Sequence, residues 1–493
     1  MPHVTNDTAH RGIPPTAATI DLDLLNPAMN SSQLDAIPVA PGLDFVFIQP
    51  RRGADSDPSR PNQFPEASSR GACSSTLLDT VRLLGKDAIG GFAIEEVSQG
   101  GSVPFLRAKN DSEFHILLIA GQMVKGGKQN RGINADMVIK PGSTAEIPVT
   151  CVEQGRWSAG ARARYQHGAF DHGGFEPSFL RASKMRDVHE SRRASRPPVA
   201  SQSAVWGSIH EMATALRADS RSSDLLESLG KVRARRNQTS RGQPDAGTTP
   251  QPNMNIDGTP VLGAGREMLM REIEMLEHDV AECMQQSRAV GERLRGALDA
   301  GDFEAATHEN GALRQALQRV DRLRQRLVEA RFHLAHMPGG EAERPDATTE
   351  PHAPIDSAAL DAADEAAKRA SGLLVFANGE LLAGDLFAQP GWFASVYGDL
   401  RESALATWEL LSHRAARRGI AMRDNTATLA HDTARRILDD TFAGRWVERR
   451  AVAHERAFLL EHADIESAVV GTGDGTPLHL LVGTRMAHTL LRR

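Results

Sequence analysis

The sequence has few of the features that mark secreted, membrane or metal-ribbon proteins. Only three of its 493 residues are cysteine, Cys73, Cys151 and Cys283, and no two of them have CxxC spacing. A disulfide framework or a zinc ribbon is therefore not expected, and a reducing compartment is indicated. The longest apolar run, Phe114 to Gly121, is too short to cross a bilayer. The polar N-terminus has no signal-peptide core, so we expect a cytoplasmic protein.

The chain also has little excess charge of either sign. Its formal net charge is −6, whereas a dedicated nucleic-acid binder is usually strongly basic. Hydrophobic residues make up 40% of the chain and charged residues 24%, which leaves enough apolar side chains for a sizeable core. The length suits two or three domains.

Composition and periodicity divide the chain into six segments. Two are linkers rich in Pro, Gly and polar residues, and one is a long amphipathic helical stretch. In order, the segments are 1–70, mostly disordered with a short strand at Leu43–Pro50; 71–230, the β-rich first part of a core; 231–265, a linker; 266–337, an inserted helical hairpin; 338–357, a second linker; and 358–493, the second part of the core.

The first part of the core begins with a predicted short helix, since Leu77, Leu78, Val81 and Leu84 have helical spacing. Short β-like runs follow, separated by turn residues such as Gly-Gly, Asn-Asp and Pro-Gly. They form a compact β-rich unit that ends near Trp157.

The second part of the core combines helices with β-hairpins. Asn378-Gly379 and Asp474-Gly475 predict two hairpin turns. Helices are predicted between them, including one at His454–Ala463 (HERAFLLEHA). The fold class is therefore α+β, with a β-rich N-terminal unit packed with a helical C-terminal half.

The inserted hairpin has leucine and valine at intervals of seven in its second arm, at positions 313, 320, 327 and 334. That spacing favours coiled-coil packing, while an ordinary amphipathic hairpin stays open as the alternative.

A glycine-rich loop, Lys125–Gly132 (KGGKQNRG), carries three cations and follows an apolar strand. Successive backbone N–H groups in such a loop can bind an anion, although the GxxxxGK[ST] pattern of a P-loop is absent. The alternative is a solvated basic hairpin tip.

A second polar stretch, Cys151–Trp157 (CVEQGRW), ends the β-rich unit. Glu153 and Arg156 form either a structural ion pair beside Trp157 or the wall of a pocket in which the indole stacks on a ring. Cys151 shares a strand face with Glu153, which disfavours its thiolate, so it is predicted to be a buried small hydrophobe.

The region from 125 to 164 is locally basic, with seven Lys or Arg against three Asp or Glu. An anionic ligand such as a nucleotide or a sugar phosphate is the natural inference. His167 and His172 follow, but no cysteine or paired carboxylate lies near them, so no metal site is predicted.

The run GGKQNRGINADMVIKPGSTAEIPVTCVEQGRW, residues 126–157, resembles the core motif of the ARPP family, the ARG and rhodanese-phosphatase-superfamily-associated protein domain. The resemblance extends over about 75–230 and 358–485. The downstream pieces that carry it are Ala204-Val205-Trp206, Asn378-Gly379, Asp385-Leu386-Phe387 and His479-Leu480.

The resemblance implies a place in NAD- or ADP-ribose-linked pathways, but no established reaction, so catalysis stays open and no cofactor is predicted. We interpret the motif positions as a ligand pocket, with Glu153 and Asp385 as candidate catalytic bases. The candidate ligand-binding residues are Lys128, Gln129, Asn130, Arg131, Asn134, Arg156 and Trp157.

Two hypotheses follow. The chain binds or processes ADP-ribose, NAD or a related phosphorylated nucleotide, or it is a non-catalytic scaffold whose hairpin, 266–337, mediates self-association or partner binding. Neither a membrane nor a nucleic acid is expected as a partner. The pocket hypothesis requires Lys128, Arg131, Glu153, Arg156 and Asp385 to converge.

Overall fold

The computed structural model describes the chain in several stretches and divides it into two compact units. One unit is Met1–Pro244 with Glu350–Arg493, and the other is Asp245–Thr349. The described residues are 22, 25, 34–49, 78–98, 102, 104–154, 170–220, 222–240, 264–313, 316, 320, 355–424, 426–474 and 476–484.

The expected α+β fold class is confirmed. The strands are β1 (Leu34–Ala40), β2 (Leu43–Ile48), β3 (Val81–Leu83), β4 (Phe92–Glu96), β5 (Phe105–Asn110), β6 (His115–Leu118), β7 (Gln122–Gly126), β8 (Arg131–Ile133), β9 (Met137–Ile139), β10 (Ser143–Cys151), β11 (Phe170–Phe175), β12 (Gly372–Ala377), β13 (Glu380–Phe387), β14 (Arg445–Arg449), β15 (Arg456–Glu461), β16 (Ile465–Gly471) and β17 (Pro477–Thr484). The helices are α1 (Ser178–Arg193), α2 (Gln202–Ala215), α3 (Leu225–Ser240), α4 (Ala264–Asp299), α5 (Ser357–Ala367), α6 (Pro390–Arg417) and α7 (Ala427–Ala443).

The largest sheet joins the N-terminal segment to the second part of the core. Its eight antiparallel strands run in the order β1-β2-β12-β13-β17-β16-β15-β14. The strand predicted at Leu43–Pro50 is β2, and β1 beside it was not predicted. Because side chains alternate along a strand, Phe45 and Phe47 pack in the core cluster that contains α6, while Val46 and Ile48 pack in the one that contains α7. The central strands of the sheet, β2, β12 and β13, are therefore buried on both faces.

The predicted β-rich unit forms two smaller sheets, ordered β11-β7-β8-β10-β5-β4 and β3-β6-β9. The helix predicted from Leu77 to Leu84 is wrong, because Val81–Leu83 is a strand that pairs in parallel with β6. Apolar residues in so short a run fit either period, and the pairing with β6 decides between them.

The helix predicted at His454–Ala463 is also wrong. Arg456–Glu461 is strand β15, which pairs with β14 on one side and β16 on the other. Ala457 to Leu460 are all buried, and a short continuous apolar run of this kind suits a central strand. The hairpin turn predicted at Asn378-Gly379 is present, since these two residues join β12 to β13 with φ of 51° and 84°. Positive φ at both central residues is what a type I′ hairpin requires.

The smaller unit contains α4 and a helical stretch at 303–313. Gly301 turns the chain with a φ of 71°, and Asp302 Oδ1 accepts a hydrogen bond from Ala305 N, which is an N-cap contact. Arg293 Nε donates to Glu309 Oε1 at 3.1 Å and links the two arms. Two of the heptad positions, 327 and 334, lie outside the described residues, so coiled-coil packing stays a prediction.

None of the helices in the described stretches is long and apolar enough to span a membrane.

Candidate functional site

The loop and the strand end singled out in the sequence lie side by side and form a first polar cluster. Glu153 Oε2 accepts a hydrogen bond from Asn130 N at 3.0 Å, and its Oε1 accepts one from Ser222 Oγ at 3.0 Å. Asn130 Nδ2 donates to Asp224 Oδ1 at 3.1 Å. These bonds tie the β7–β8 turn to the segment that enters α3.

Arg131 belongs to the same cluster and is fully buried. Its Nη1 donates to Gln129 Oε1 at 3.0 Å, and Gln129 Nε2 donates to the carbonyl of Gln154 at 3.2 Å. A guanidinium without solvent needs partners of this kind, because desolvation of a charge costs several kcal/mol.

Three backbone N–H groups of the loop already have acceptors within the protein. Gly126 N donates to Asn130 Oδ1 at 3.0 Å, and Lys128 N donates to Glu96 Oε1 at 2.9 Å. Asn130 N is bound to Glu153, as described above. These three groups therefore hold the turn in shape and are not open to an anion.

A second cluster lies deeper and joins strands that are far apart in sequence. His479 Nδ1 is 2.7 Å from Asp136 Oδ2, and His479 Nε2 is 3.3 Å from Asp385 Oδ1. Arg181 binds both oxygens of Asp385, at 2.8 and 2.5 Å. Ala120 N donates to the other oxygen of Asp136 at 2.8 Å. The result is a buried chain of alternating charges that connects α1, β13, β17 and the segment before β9.

The charges in this chain set one another's protonation. Burial lowers the pKa of His479, but the carboxylates of Asp136 and Asp385 outweigh burial and raise it to about 9. Burial raises the pKa of Asp385, yet Arg181 and then His479 hold it well below its usual range. Near neutral pH the imidazole of His479 is therefore protonated, and it lies between Asp136 and Asp385.

The second cluster borders a cavity of about 30 Å³, which is room for about two water molecules. One wall comes from a single face of α1, at positions 181, 184, 185, 188, 189 and 192. Asn134 to Asp136 and strands β16 and β17 provide other parts of the wall. Arg181, Lys184 and Arg192 thus place three cations around one small space.

Two glycines allow charged side chains to approach the backbone here. A Cβ on Gly132 would overlap Glu176 Oε1 and lie 3.2 Å from Lys184 Nζ, where those two side chains form an ion pair of 2.7 Å. A Cβ on Gly121, whose φ is +85°, would lie 2.6 Å from Arg181 Nε. Glycine at both positions therefore makes room for the charges.

Several polar atoms of the residues that line the cavity have no hydrogen-bond partner among the described residues. They are Arg181 Nε, Arg192 Nε and Nη2, Glu176 Oε2 and His189 Nδ1. Burial, with Arg192 and Arg193 nearby, lowers the pKa of His189 to about 3, so this ring is neutral. Buried polar atoms are rarely left unpaired, so this set singles out the cavity as a candidate site.

The predicted site residues distribute between the two clusters. Gln129, Asn130, Arg131 and Glu153 form the first, together with partly exposed Lys128. Asp385 belongs to the second, so the pocket expected to join it with Glu153 is two separate hydrogen-bonded groups. Asn134 lines the cavity, accepts from Thr150 Oγ1 at 2.6 Å and donates to the carbonyl of Pro198 at 3.3 Å. Arg156 and Trp157 lie outside the described residues. The binding and catalytic roles of all these residues stay predictions.

Sequence analysis missed the charged face of α1 together with Glu176 and Asp136. The signal was present, because Arg181, Lys184 and Arg192 occur at helical spacing on the stripe that also carries Met185 and Val188. Charged residues on the otherwise apolar stripe of a helix are costly unless they are paired or functional.

The second histidine flagged in the sequence is engaged elsewhere. His172 Nε2 lies 3.0 Å from Asp399 Oδ2, and Lys86 Nζ lies 3.0 Å from Asp399 Oδ1. His167 lies outside the described residues. Within the described stretches, no three His, Cys, Asp or Glu side chains are grouped so as to hold a metal ion.

Comparison with known proteins gives one match. Searches of curated proteins and of solved structures found nothing similar. Residues 80–247 match the model of a protein family, a range that contains the first cluster and α1. The resemblance over 358–485 stays a prediction. The matching family is ARPP-1, the ARG and Rhodanese-Phosphatase-superfamily-associated Protein domain.

Proposed function

We propose that this protein binds a phosphorylated nucleotide, such as ADP-ribose or NAD, and that a phosphate of the ligand enters the cavity beside α1. One observation carries the proposal: Arg181, Lys184 and Arg192 line the same small cavity from one helix face. Clustered cations with converging donors are a typical way of binding phosphate.

Among these three cations, Arg192 lacks the most hydrogen-bond partners in the described part of the chain. Burial lowers the pKa of Arg192, and its Nε and Nη2 have no hydrogen-bond partner in the described part of the chain. Glu455 attracts it, but that carboxylate accepts hydrogen bonds from the backbone N–H groups of Val452 and Ala453. A phosphate would supply both the charge and the acceptors that the guanidinium lacks.

The size of the cavity limits which part of the ligand it takes. A space of about 30 Å³ is smaller than a phosphate group, so the side chains around it must move apart to admit one, and neither a base nor a sugar can enter it. The rest of the nucleotide therefore lies outside the cavity, where Lys128, Arg156 and Trp157 are the residues we propose to contact it.

A hydrolytic step is the second half of this hypothesis, with Glu153 or Asp385 as the base. Both oxygens of Glu153 accept hydrogen bonds, and both oxygens of Asp385 are bound to Arg181. An efficient base has a pKa near the working pH, so the low pKa of Asp385 favours a positioning role for it. A turnover assay on any ligand that binds tests this half separately.

The binding half is tested by a thermal-shift screen of the purified full chain with ADP-ribose, NAD, AMP, ADP and ribose phosphates. A ligand that binds only the folded state raises the melting temperature. We expect a shift with at least one nucleotide, lost in Arg192→Met and retained in Arg186→Met, which changes a residue of α1 that does not line the cavity. Arg131→Ala and Glu153→Ala show whether the first cluster contributes. No shift with any compound would refute the proposal.

A second candidate function, self-association through the hairpin of 266–337, has its own support. Phe303 is 74% exposed and Leu298 53% exposed at the turn between the two helical arms. A contiguous exposed apolar patch is typical of a contact with another chain, and these two side chains lie five residues apart at the turn. We expect a dimer in analytical ultracentrifugation that Phe303→Ser weakens, and a concentration-independent monomer would count against this function.

We propose that the protein is cytoplasmic. The thiol of Cys283 is free and buried, which suits a reducing compartment. Fractionation of cells that express the native chain tests this location.

A further inference from the structure

The segment 450–455, between β14 and β15, docks on the edge of the smallest sheet. That sheet has the order β3-β6-β9, so β9 is an edge strand. His454 N donates to the carbonyl of Val138 in β9 at 3.2 Å, and Val452 and Ala453 pack against a core cluster of the β-rich unit. The segment therefore covers part of a strand edge whose backbone groups need partners.

Two imidazoles and an ammonium group meet beside this contact. His115 lies in β6, and the register between β6 and β9 places it opposite Lys140. His454 is close enough to His115 to act on the pKa of that ring. Within the described stretches, Nδ1 of both imidazoles is buried and lacks a hydrogen-bond partner. Three groups that can carry positive charge thus lie together where the segment meets the sheet.

A proton on His115 would fit this arrangement badly. Both ring nitrogens of a protonated imidazole are donors, so Nδ1 of His115 would become a buried N–H without an acceptor in the described part of the chain. Burial, followed by Lys140 and His454, lowers the pKa of His115. The docked segment therefore favours the neutral ring.

The other charged groups nearby do not reverse this preference. The charged and titratable residues on the elements around His115 are Arg82, Glu113, Lys140, Arg450, His454 and Glu455. Lys140 and His454 are the ones that act on the pKa of His115, and both lower it. Both oxygens of Glu455 accept hydrogen bonds from backbone N–H groups of the segment itself. That carboxylate therefore holds the segment in shape.

We propose that segment 450–455 is a pH-dependent contact, docked on β9 while the His115 ring is neutral and released when that ring takes up a proton. The segment moves and β6 does not, because β6 is hydrogen-bonded to a strand on each side while the segment is a loop. Release uncovers the edge of β9.

The direction of the effect follows from linkage. The released form binds a proton that the docked form disfavours, because the pKa of His115 is lowered only while the segment is docked. Docking is therefore strongest above the ordinary histidine pKa of 6.5 and weakens as the pH falls below it.

Hydrogen exchange of the full chain, followed by mass spectrometry of peptic peptides, measures docking directly. The protection of 450–456, corrected for the intrinsic exchange rate at each pH, should fall at least about threefold between pH 7.5 and pH 5.5. It should stay below the protection of 372–387, in the large sheet, at both pH values, because release is local and opening of the whole unit is rarer.

A matched pair of variants assigns the effect to its ring. In His115→Gln, which removes the titrating group, the protection of 450–456 should change by less than about 1.5-fold over the same range. His431→Gln alters a partly exposed histidine of α7 and should behave as the native chain does. If His115→Gln does not fold, exchange of the imidazole C2 hydrogen of His115 in the native chain gives its protonation midpoint, which must coincide with the loss of protection at 450–456.

Three results would overturn the proposal. One is constant protection of 450–456 in the native chain between the two pH values. The second is an equal loss in the native chain and in His115→Gln, which would assign the effect to another group. The third is a fall of 450–456 and 372–387 to the same protection, which would mean that acid opens the whole unit.

Discussion

His479 should make the larger unit less stable as the pH rises above neutrality. Its ring is fully buried, and it faces Asp136 and Asp385, with Arg181 bound to the far side of Asp385. A histidine whose pKa is raised in the folded state contributes stability that is complete below its unfolded pKa. That contribution is lost as the pH rises through the folded value, here from about 6.5 to about 9.

The size of the effect follows from the rise in pKa. Each pKa unit corresponds to about 1.4 kcal/mol, so the rise from 6.5 to about 9 corresponds to about 3 kcal/mol of unfolding free energy. This is a large part of the 5–15 kcal/mol that stabilises a typical domain. The window that matters is therefore pH 6.5 to 9.

Urea unfolding followed by tryptophan fluorescence measures this contribution in the larger unit of the structure. All five tryptophans, at 157, 206, 392, 408 and 446, belong to Met1–Pro244 or Glu350–Arg493, so their emission reports the larger unit alone. The native chain should lose about 3 kcal/mol more than His479→Gln between pH 6.5 and 9. His210→Gln, on the partly exposed side of α2, is the matched control and should lose as much unfolding free energy as the native chain over this pH range.

The reasoning is refuted if His479→Gln and the native chain lose stability in parallel over this range. Parallel curves would mean that the imidazole is not charged between its two carboxylates, and the buried chain of charges would then need another explanation.

Three further changes probe the same region. The unfolding free energy should fall by about 1.4 kcal/mol per pH unit below pH 6.5, because the folded protein lowers the pKa of His189 to about 3 and keeps its ring neutral while the unfolded chain takes up a proton. His189→Phe should flatten that slope in urea titrations. Gly132→Ala should reduce the unfolding free energy by about 1–3 kcal/mol, because the new Cβ overlaps Glu176 Oε1. Arg181→Met should cost about 3–5 kcal/mol at pH 7, because it leaves Asp385 buried without its cation.

The controls for these changes come from positions without such neighbours. Gly230→Ala adds a Cβ within a helix and meets no atom within 4 Å, so it should leave stability unchanged or raise it slightly. If it costs as much as Gly132→Ala, overlap with Glu176 is not the cause. A pH slope below 6.5 that persists unchanged in His189→Phe would contradict the assignment to that ring.

Local signals in the sequence predicted local structure well. Asn378-Gly379 predicted a type I′ hairpin correctly, because only residues that tolerate positive φ form that turn. The short β-branched runs predicted strands because branched side chains pack well on a pleated sheet. The segments around Val81 and Phe458 were predicted as helices and are strands. Their apolar runs are too short to show a period, and the neighbouring strands that pair with them are not visible in the local sequence.

The candidate site was only half predictable, for a reason of distance along the chain. Gln129, Asn130 and Glu153 lie close in sequence and were found together. The second cluster pairs Asp136 with His479, 343 residues later, and Arg181 with Asp385, 204 residues later. No spacing rule connects such residues, because they meet only where α1 and the segment before β9 pack against the large sheet, which is a property of the whole fold.

The recognised motif nevertheless leads from one cluster to the other. Successive side chains of an extended strand point to opposite sides, so Arg131 packs in the first cluster while Gly132 faces the Glu176–Lys184 pair. A few residues on, Asn134 and Asp136 line the cavity. One short run thus shapes the turn with one face and the cavity with the other. If the cavity is the binding site, Gly132→Ala should weaken ligand binding at the cavity directly, whereas Arg131→Ala should act only through the turn and weaken binding less.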